Sequence, residues 1–134
     1  MNIEDLEGVG PVLGGKLREA GVATVAQLLE RAGPAGGRAA LAGETGIDAG
    51  QLLRWVNHAD LYRLDGVGSE FADLLEAAGV DSTAELAQRN AANLAQTFQE
   101  VDAARPNWVR RIPSQAQIEG WIEQAGSLPK VVGH

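Results

Sequence analysis

Cysteine is absent from these 134 residues, which excludes a disulfide framework, a thiolate metal site and a cysteine nucleophile. No apolar run approaches the roughly 20 residues that cross a bilayer. The opening Met1-Asn2-Ile3-Glu4-Asp5 is acidic, where a signal peptide is basic and then apolar. A soluble, cytoplasmic protein without membrane contact is expected. Histidine is scarce, His58 and His134 being the only two. Without a second histidine at ligand spacing neither makes a metal site, and no cofactor is expected. Positive charge is also short: 11 basic against 18 acidic residues leave a net charge of −7. That balance opposes long-range attraction to phosphate backbones and anionic lipid, while screening over about 10 Å leaves close contacts to local charge. Strand-like alternation of β-branched residues is missing as well.

What the chain does contain is a duplication. Gly8-Val9-Gly10 recurs as Gly66-Val67-Gly68, and Leu17, Ala20-Gly21-Val22 and Leu28 recur as Leu75, Ala78-Gly79-Val80 and Leu86, each 58 residues on. Gln51-Leu52 with Trp55-Val56 is answered 66 residues later by Gln117-Ile118 with Trp121-Ile122. The second copy therefore carries an insertion of about eight residues between Leu86 and Gln117. One fused domain, 1–134, is expected, with repeats at about 3–60 and 61–128 and a tail at 129–134.

The repeated unit reads as helical. Apolar residues fall three and four apart, as in Leu52, Trp55, Val56 and Ala59. Four pairs carry the signature of a helix start, in which a side-chain oxygen and a return group satisfy free amides: Thr24 with Gln27, Ser82 with Glu85, Asp48 with Gln51, and Ser114 with Gln117. Gly21, Gly79 and Gly126 stand where a left-handed residue would end a helix, and Pro34, Pro106 and Pro113 where helices break. Each repeat is then a short helix to Leu6 or Leu64, a Gly-Val-Gly turn, a helix to about Ala20 or Ala78, and a third helix after Thr24 or Ser82. A less regular helix over 35–44 or 90–103 and a tryptophan-bearing helix complete the unit. Residues 103–113 and the tail after Leu128 are the segments with linker character. Trp55 and Trp121, equivalent and apolar in surroundings, are core residues. They suggest a pseudo-two-fold axis and a matched surface for a homodimer, if the chain is not a monomer.

Leu6-Glu7-Gly8-Val9-Gly10-Pro11 and Leu64-Asp65-Gly66-Val67-Gly68-Ser69 resemble the helix-hairpin-helix motif. Its glycines permit positive φ, its valine plugs the core, and the amides opening the next helix carry partial positive charge that suits an anion. In DNA-binding members that anion is a backbone phosphate, held without regard to base sequence. From about Ile3 to Leu128 the chain resembles the tandem helix-hairpin-helix proteins grouped as domain of unknown function 4332. Leu52–Leu61, Ala72–Val80, Glu85–Asn90, Val109–Ser114 and Trp121–Ala125 carry that likeness. A looser one, in Ala20–Leu28, is to the C-terminal domain of the RNA polymerase alpha subunit. The resemblance implies an all-α, duplicated helix-hairpin-helix bundle.

Local charge separates the two turns. Gly8 to Arg18 holds Lys16 and Arg18 and no acid, whereas Gly66 to Glu76 holds Glu70, Asp73 and Glu76 and no base. The first turn, Gly8, Val9, Gly10 and Lys16, is thus a candidate for a phosphate, although Val12 stands where DNA-binding hairpins often place lysine. Gly14 and Gly15 each cost on the order of 1 kcal/mol relative to alanine within a helix, for which close approach to the partner repeat is the expected reason. Arg105, Trp108, Arg110 and Arg111 form the second candidate, able to meet phosphate and stack a base, or to meet an acidic protein surface. The glycine turns lack the lysine and threonine of a phosphate loop and have no strand before them. The expectation is a non-enzymatic binding module, contacting nucleic-acid phosphates weakly or acting as an adaptor. The alternative is a protein interaction or assembly module whose turns are purely structural.

Overall fold

The computed structural model describes residues 1–105 and 111–133. A single 3-10 turn, Ile3–Asp5, precedes eight α-helices among them: α1 Gly10–Glu19, α2 Val25–Ala32, α3 Ala35–Thr45, α4 Ala49–Leu61, α5 Ser69–Ala77, α6 Thr83–Leu86, α7 Ala91–Ala104 and α8 Gln115–Ser127. Extended pairing among the described residues is limited to one isolated bridge between Asn2 and Thr24. The fold is all α. Two compact units divide the chain, Met1–Asp60 with the tail from Lys130, and Leu61–Pro129.

The first unit is organised by backbone hydrogen bonds that the sequence makes inevitable. Leu6 N donates to Ile3 O, Val9 N to Leu6 O, and Val22 N to Leu17 O, the last closing α1 around Gly21 at φ 89°. A left-handed residue there lets the chain turn back and satisfies a terminal carbonyl. Thr24 opens α2 with a complete reciprocal cap: its hydroxyl accepts from Gln27 N at 3.1 Å and Gln27 Oε1 accepts from Thr24 N at 3.1 Å. Apolar stripes of these short helices converge on one core in which Ile3, Leu17, Leu28, Leu41 and Leu52 are fully buried.

In the second unit the same bonds return 58 residues later: Leu64 N to Leu61 O, Val67 N to Leu64 O, and Val80 N to Leu75 O around Gly79 at φ 90°. Leu74, Leu75, Leu86, Leu94, Phe98 and Ile118 form its core, and Phe71 leans on Trp121 with ring centroids 5.3 Å apart. Ser82 caps α6 through Glu85 N at 3.2 Å, but the Glu85 carboxylate faces Arg89 at 3.4 Å, so the expected reciprocal cap closes in one direction. Ser114 accepts from Gln117 N at 3.1 Å, as Asp48 accepts from Gln51 N at 3.2 Å in the first unit. The additional length of this repeat falls in α7, 14 residues against 11 in α3, and in the segment after it.

Three expectations need correction. Gly126 lies inside α8, which runs on to Ser127, and it is not among the glycines with positive φ. Gly14 is buried, but a Cβ there would meet the Glu4 side chain, with Cγ at 2.8 Å. Its smallness therefore accommodates a carboxylate arm of its own repeat, and a Cβ at Gly15 meets nothing within 4 Å. The tail is seated, with Val132 2% exposed and Gly133 N bonded to Gly33 O at 2.9 Å. Removing this branched aliphatic side chain from water gives about 1.5–3 kcal/mol toward holding the segment, beside its backbone hydrogen bond.

Candidate functional site

The first candidate site is the turn ahead of α1. Gly8 and Gly10 adopt φ of 88° and 67°, which an L side chain rarely takes, and Val9 between them is 3% exposed. The indole of Trp55 closes the turn from below: a Cβ on Gly8 would lie 3.4 Å from Trp55 Nε1. The second turn is built alike, Gly66 at φ 83° with its Cβ position 3.8 Å from Trp121 Nε1 and Val67 7% exposed. Glycine is thus required for the left-handed backbone, while a Cβ at either position would meet the ring only at ordinary contact distance. The third position differs: Gly68 sits at φ −101°, a backbone open to any residue.

Neither α1 nor α5 has a side-chain cap at its start, unlike α2, α6, α7 and α8. Amides at those two helix starts therefore have no side-chain cap, and free amides suit an anion, although Pro11 in the first turn of α1 brings no N–H. Glu70 stands in the first turn of α5, while α1 has no acid there. Carboxylate so close to the amides competes with a phosphate, so the second start is the poorer anion site of the two.

The two arginines packed near α1 have partners. Arg18 forks onto Glu4, Nε to Oε2 at 2.7 Å and Nη2 to Oε1 at 2.6 Å, a two-point contact that a planar guanidinium makes well. That hydrogen bond lowers the Glu4 carboxyl below its ordinary range and raises Arg18. Arg31 donates to the carbonyl of Ala20 and pairs with Glu44 at 2.6 Å. Lys16 is exposed in the last turn of α1, on a shallow cleft of about 420 Å³ that it shares with Glu19, Ala20, Glu44 and Thr45. Gly8, Val9 and Gly10 are one constellation, then, but Lys16 lies at the far end of the helix among carboxylates.

Of the second candidate, Arg105 caps the end of α7 and is exposed, with interactions of its own. Arg111 is exposed. Trp108 and Arg110 lie outside the described residues.

Sequence reasoning missed two kinds of arginine. Arg31 and Arg89 stand 58 residues apart and each reaches back to an earlier helix end, Arg31 to Ala20 O after α1 and Arg89 to Ala78 O after α5 at 3.3 Å. Their shared offset was the signal, since a cation at a helix C-terminus is favoured by the exposed carbonyls. Arg38, 7% exposed, gave no such sign: it donates to Ala32 O, Gly33 O and, far along the chain, Gly133 O.

A family model described as a domain of unknown function, DUF4332, matches residues 7–128. The chain belongs to that family. No curated protein and no solved structure matches it, so nothing supports the looser likeness to the RNA polymerase alpha subunit. As a DUF4332 domain it has, among its described residues, no helix long and apolar enough to cross a membrane.

Proposed function

We propose that this DUF4332 domain is a non-enzymatic binding module of the helix-hairpin-helix type, engaging a protein partner, with both Gly-Val-Gly turns serving as structural clasps. The observation that carries this reading is the occupation of three of the first unit's four arginines within the fold, the exposed Arg54 reaching only Gln51. Arg18 lies on Glu4, Arg31 on Ala20 O and Glu44, and Arg38 on three carbonyls. With a net charge of −7, little is left to draw in a polyanion. Absence of catalysis belongs to the same proposal, since the only histidines are His58 and the terminal His134.

A second reading, weak phosphate contact at the first turn, is favoured by the uncapped, acid-free start of α1. Titration with fluorescent single- and double-stranded DNA and RNA across a salt series separates the two. Under the protein reading, binding is unmeasurable at about 50 mM salt and stays so. Saturable binding that weakens steeply with salt, and again on Val12→Glu at the exposed start of α1, overturns it in favour of the phosphate contact. Arg111→Glu reports separately on the second candidate, where loss confined to that variant would place contact after α7.

A further inference from the structure

The first unit is completed by a segment that arrives only after the whole second unit has been traversed. Residues 130–133 are not helical, and they are held by few groups. Gly133 N donates to Gly33 O at 2.9 Å, Arg38 Nη2 donates to Gly133 O at 2.8 Å, and the Val132 side chain is 2% exposed. On the receiving side Arg38 is also held from within the first unit, its Nη1 bonded to Ala32 O at 3.1 Å and Gly33 O at 2.9 Å. A Cβ at Gly33 would run into the carbonyl of Val131, so the two backbones lie directly against each other. Among the described residues no carboxylate pairs with the buried Arg38 guanidinium, whose acceptors are all carbonyl oxygens. Gly133 supplies one of these, so the strap satisfies part of a buried cation.

What the strap contributes is therefore backbone atoms and one valine, and such recognition is indifferent to which molecule the strap comes from. Leading into it, Pro129 and Lys130 are exposed and outside any helix, with Pro129 O held by Arg63 Nη2 at 3.0 Å. The chain is thus anchored on both sides of an exposed link. We propose that the notch at Gly33, Pro34 and Arg38 is a peptide-docking groove whose occupant, residues 130–133, is exchangeable with the same segment of a second copy. Exchange of an identical element keeps every bond while joining two molecules. Within one molecule the tether keeps the strap at high effective concentration, so the self-docked form prevails when dilute and the exchanged dimer grows with concentration.

Complementation tests this with the full chain. Val132→Asp spoils the strap and leaves the groove; Arg38→Ala spoils the groove and leaves the strap. Each alone sediments as a monomer, and an equimolar mixture forms a heterodimer whose share rises with concentration. In parallel, a labelled Lys-Val-Val-Gly-His peptide binds the Val132→Asp chain at least about tenfold more tightly than the parent, whose own strap competes. Absence of both the heterodimer and the peptide preference overturns the proposal. So does a Val132→Asp chain that fails to fold, because the strap would then be a fixed part of the core. Should Arg38→Ala alone fail to fold, the peptide titration decides the matter by itself.

Discussion

The two glycine turns share their hydrogen bonds, their buried valine and their tryptophan, yet they differ at both edges. Gly10 is left-handed and followed by exposed Pro11 and Val12; Gly68 is extended and followed by Ser69 and Glu70. The two turns share what packing needs, and they differ at the helix starts that follow them. A group buried in both copies is held by packing, since any change of volume or backbone is felt at once. The helix starts carry no such constraint, so one copy can acquire an acid while the other does not.

The largest test of shared construction lies in the cores. Leu17 and Leu75 are equivalent and fully buried, so Leu17→Ala and Leu75→Ala should each destabilise by about 2–5 kcal/mol, read as a lower urea midpoint. A difference between them beyond about 2 kcal/mol would show that the two sites relax differently despite equal burial.

The next test breaks the comparison. Gly10→Ala forces an L residue to φ 67° and should cost about 1–2 kcal/mol, whereas Gly68→Ala at φ −101° should fall within about 0.5 kcal/mol of the parent. Equal losses would mean that the turns are alike and the conformational difference is not maintained in solution. A third pair sharpens the capping contrast. Thr24→Ala loses a reciprocal cap and Ser82→Ala a one-way cap, each about 1 kcal/mol with Thr24 the greater, again by urea midpoint.

These particulars show how far the sequence could be read. Turn glycines and helix starts depend on φ and on bonds three residues long, so Gly8, Gly21, Gly66, Gly79, Thr24 and Ser82 were legible directly, as were the helices of each repeat apart from the short one expected before Leu64, where α4 ends at Leu61 and a turn follows. Family membership was legible for the same reason, being carried by long stretches of such residues. Partners set by the path of the chain were not. Glu4 meets Arg18 only because the first turn folds the 3-10 segment across α1, and Arg38 meets Gly133 across 95 residues. The charge balance of Gly8 to Arg18 therefore overstates the positive character of the first candidate site. The acid that neutralises Arg18, Glu4, lies just before that stretch.

That pair also gives the smallest expected effect. The Arg18 hydrogen bond lowers the Glu4 carboxyl in the folded chain relative to its unfolded value. The sign follows: the pair's contribution is present above the unfolded carboxylate range and is lost as pH falls through the lowered folded value. Both groups are solvent-accessible, so the effect is small and shrinks with salt. Stability measured by urea against pH should accordingly fall less steeply below the carboxylate range in Glu4→Gln than in the parent. An identical acid limb in the two proteins would show that the fork onto Arg18 contributes nothing measurable. Arg18 would then be free to serve the first turn after all, and the phosphate reading would regain the cation that the Glu4 contact removes.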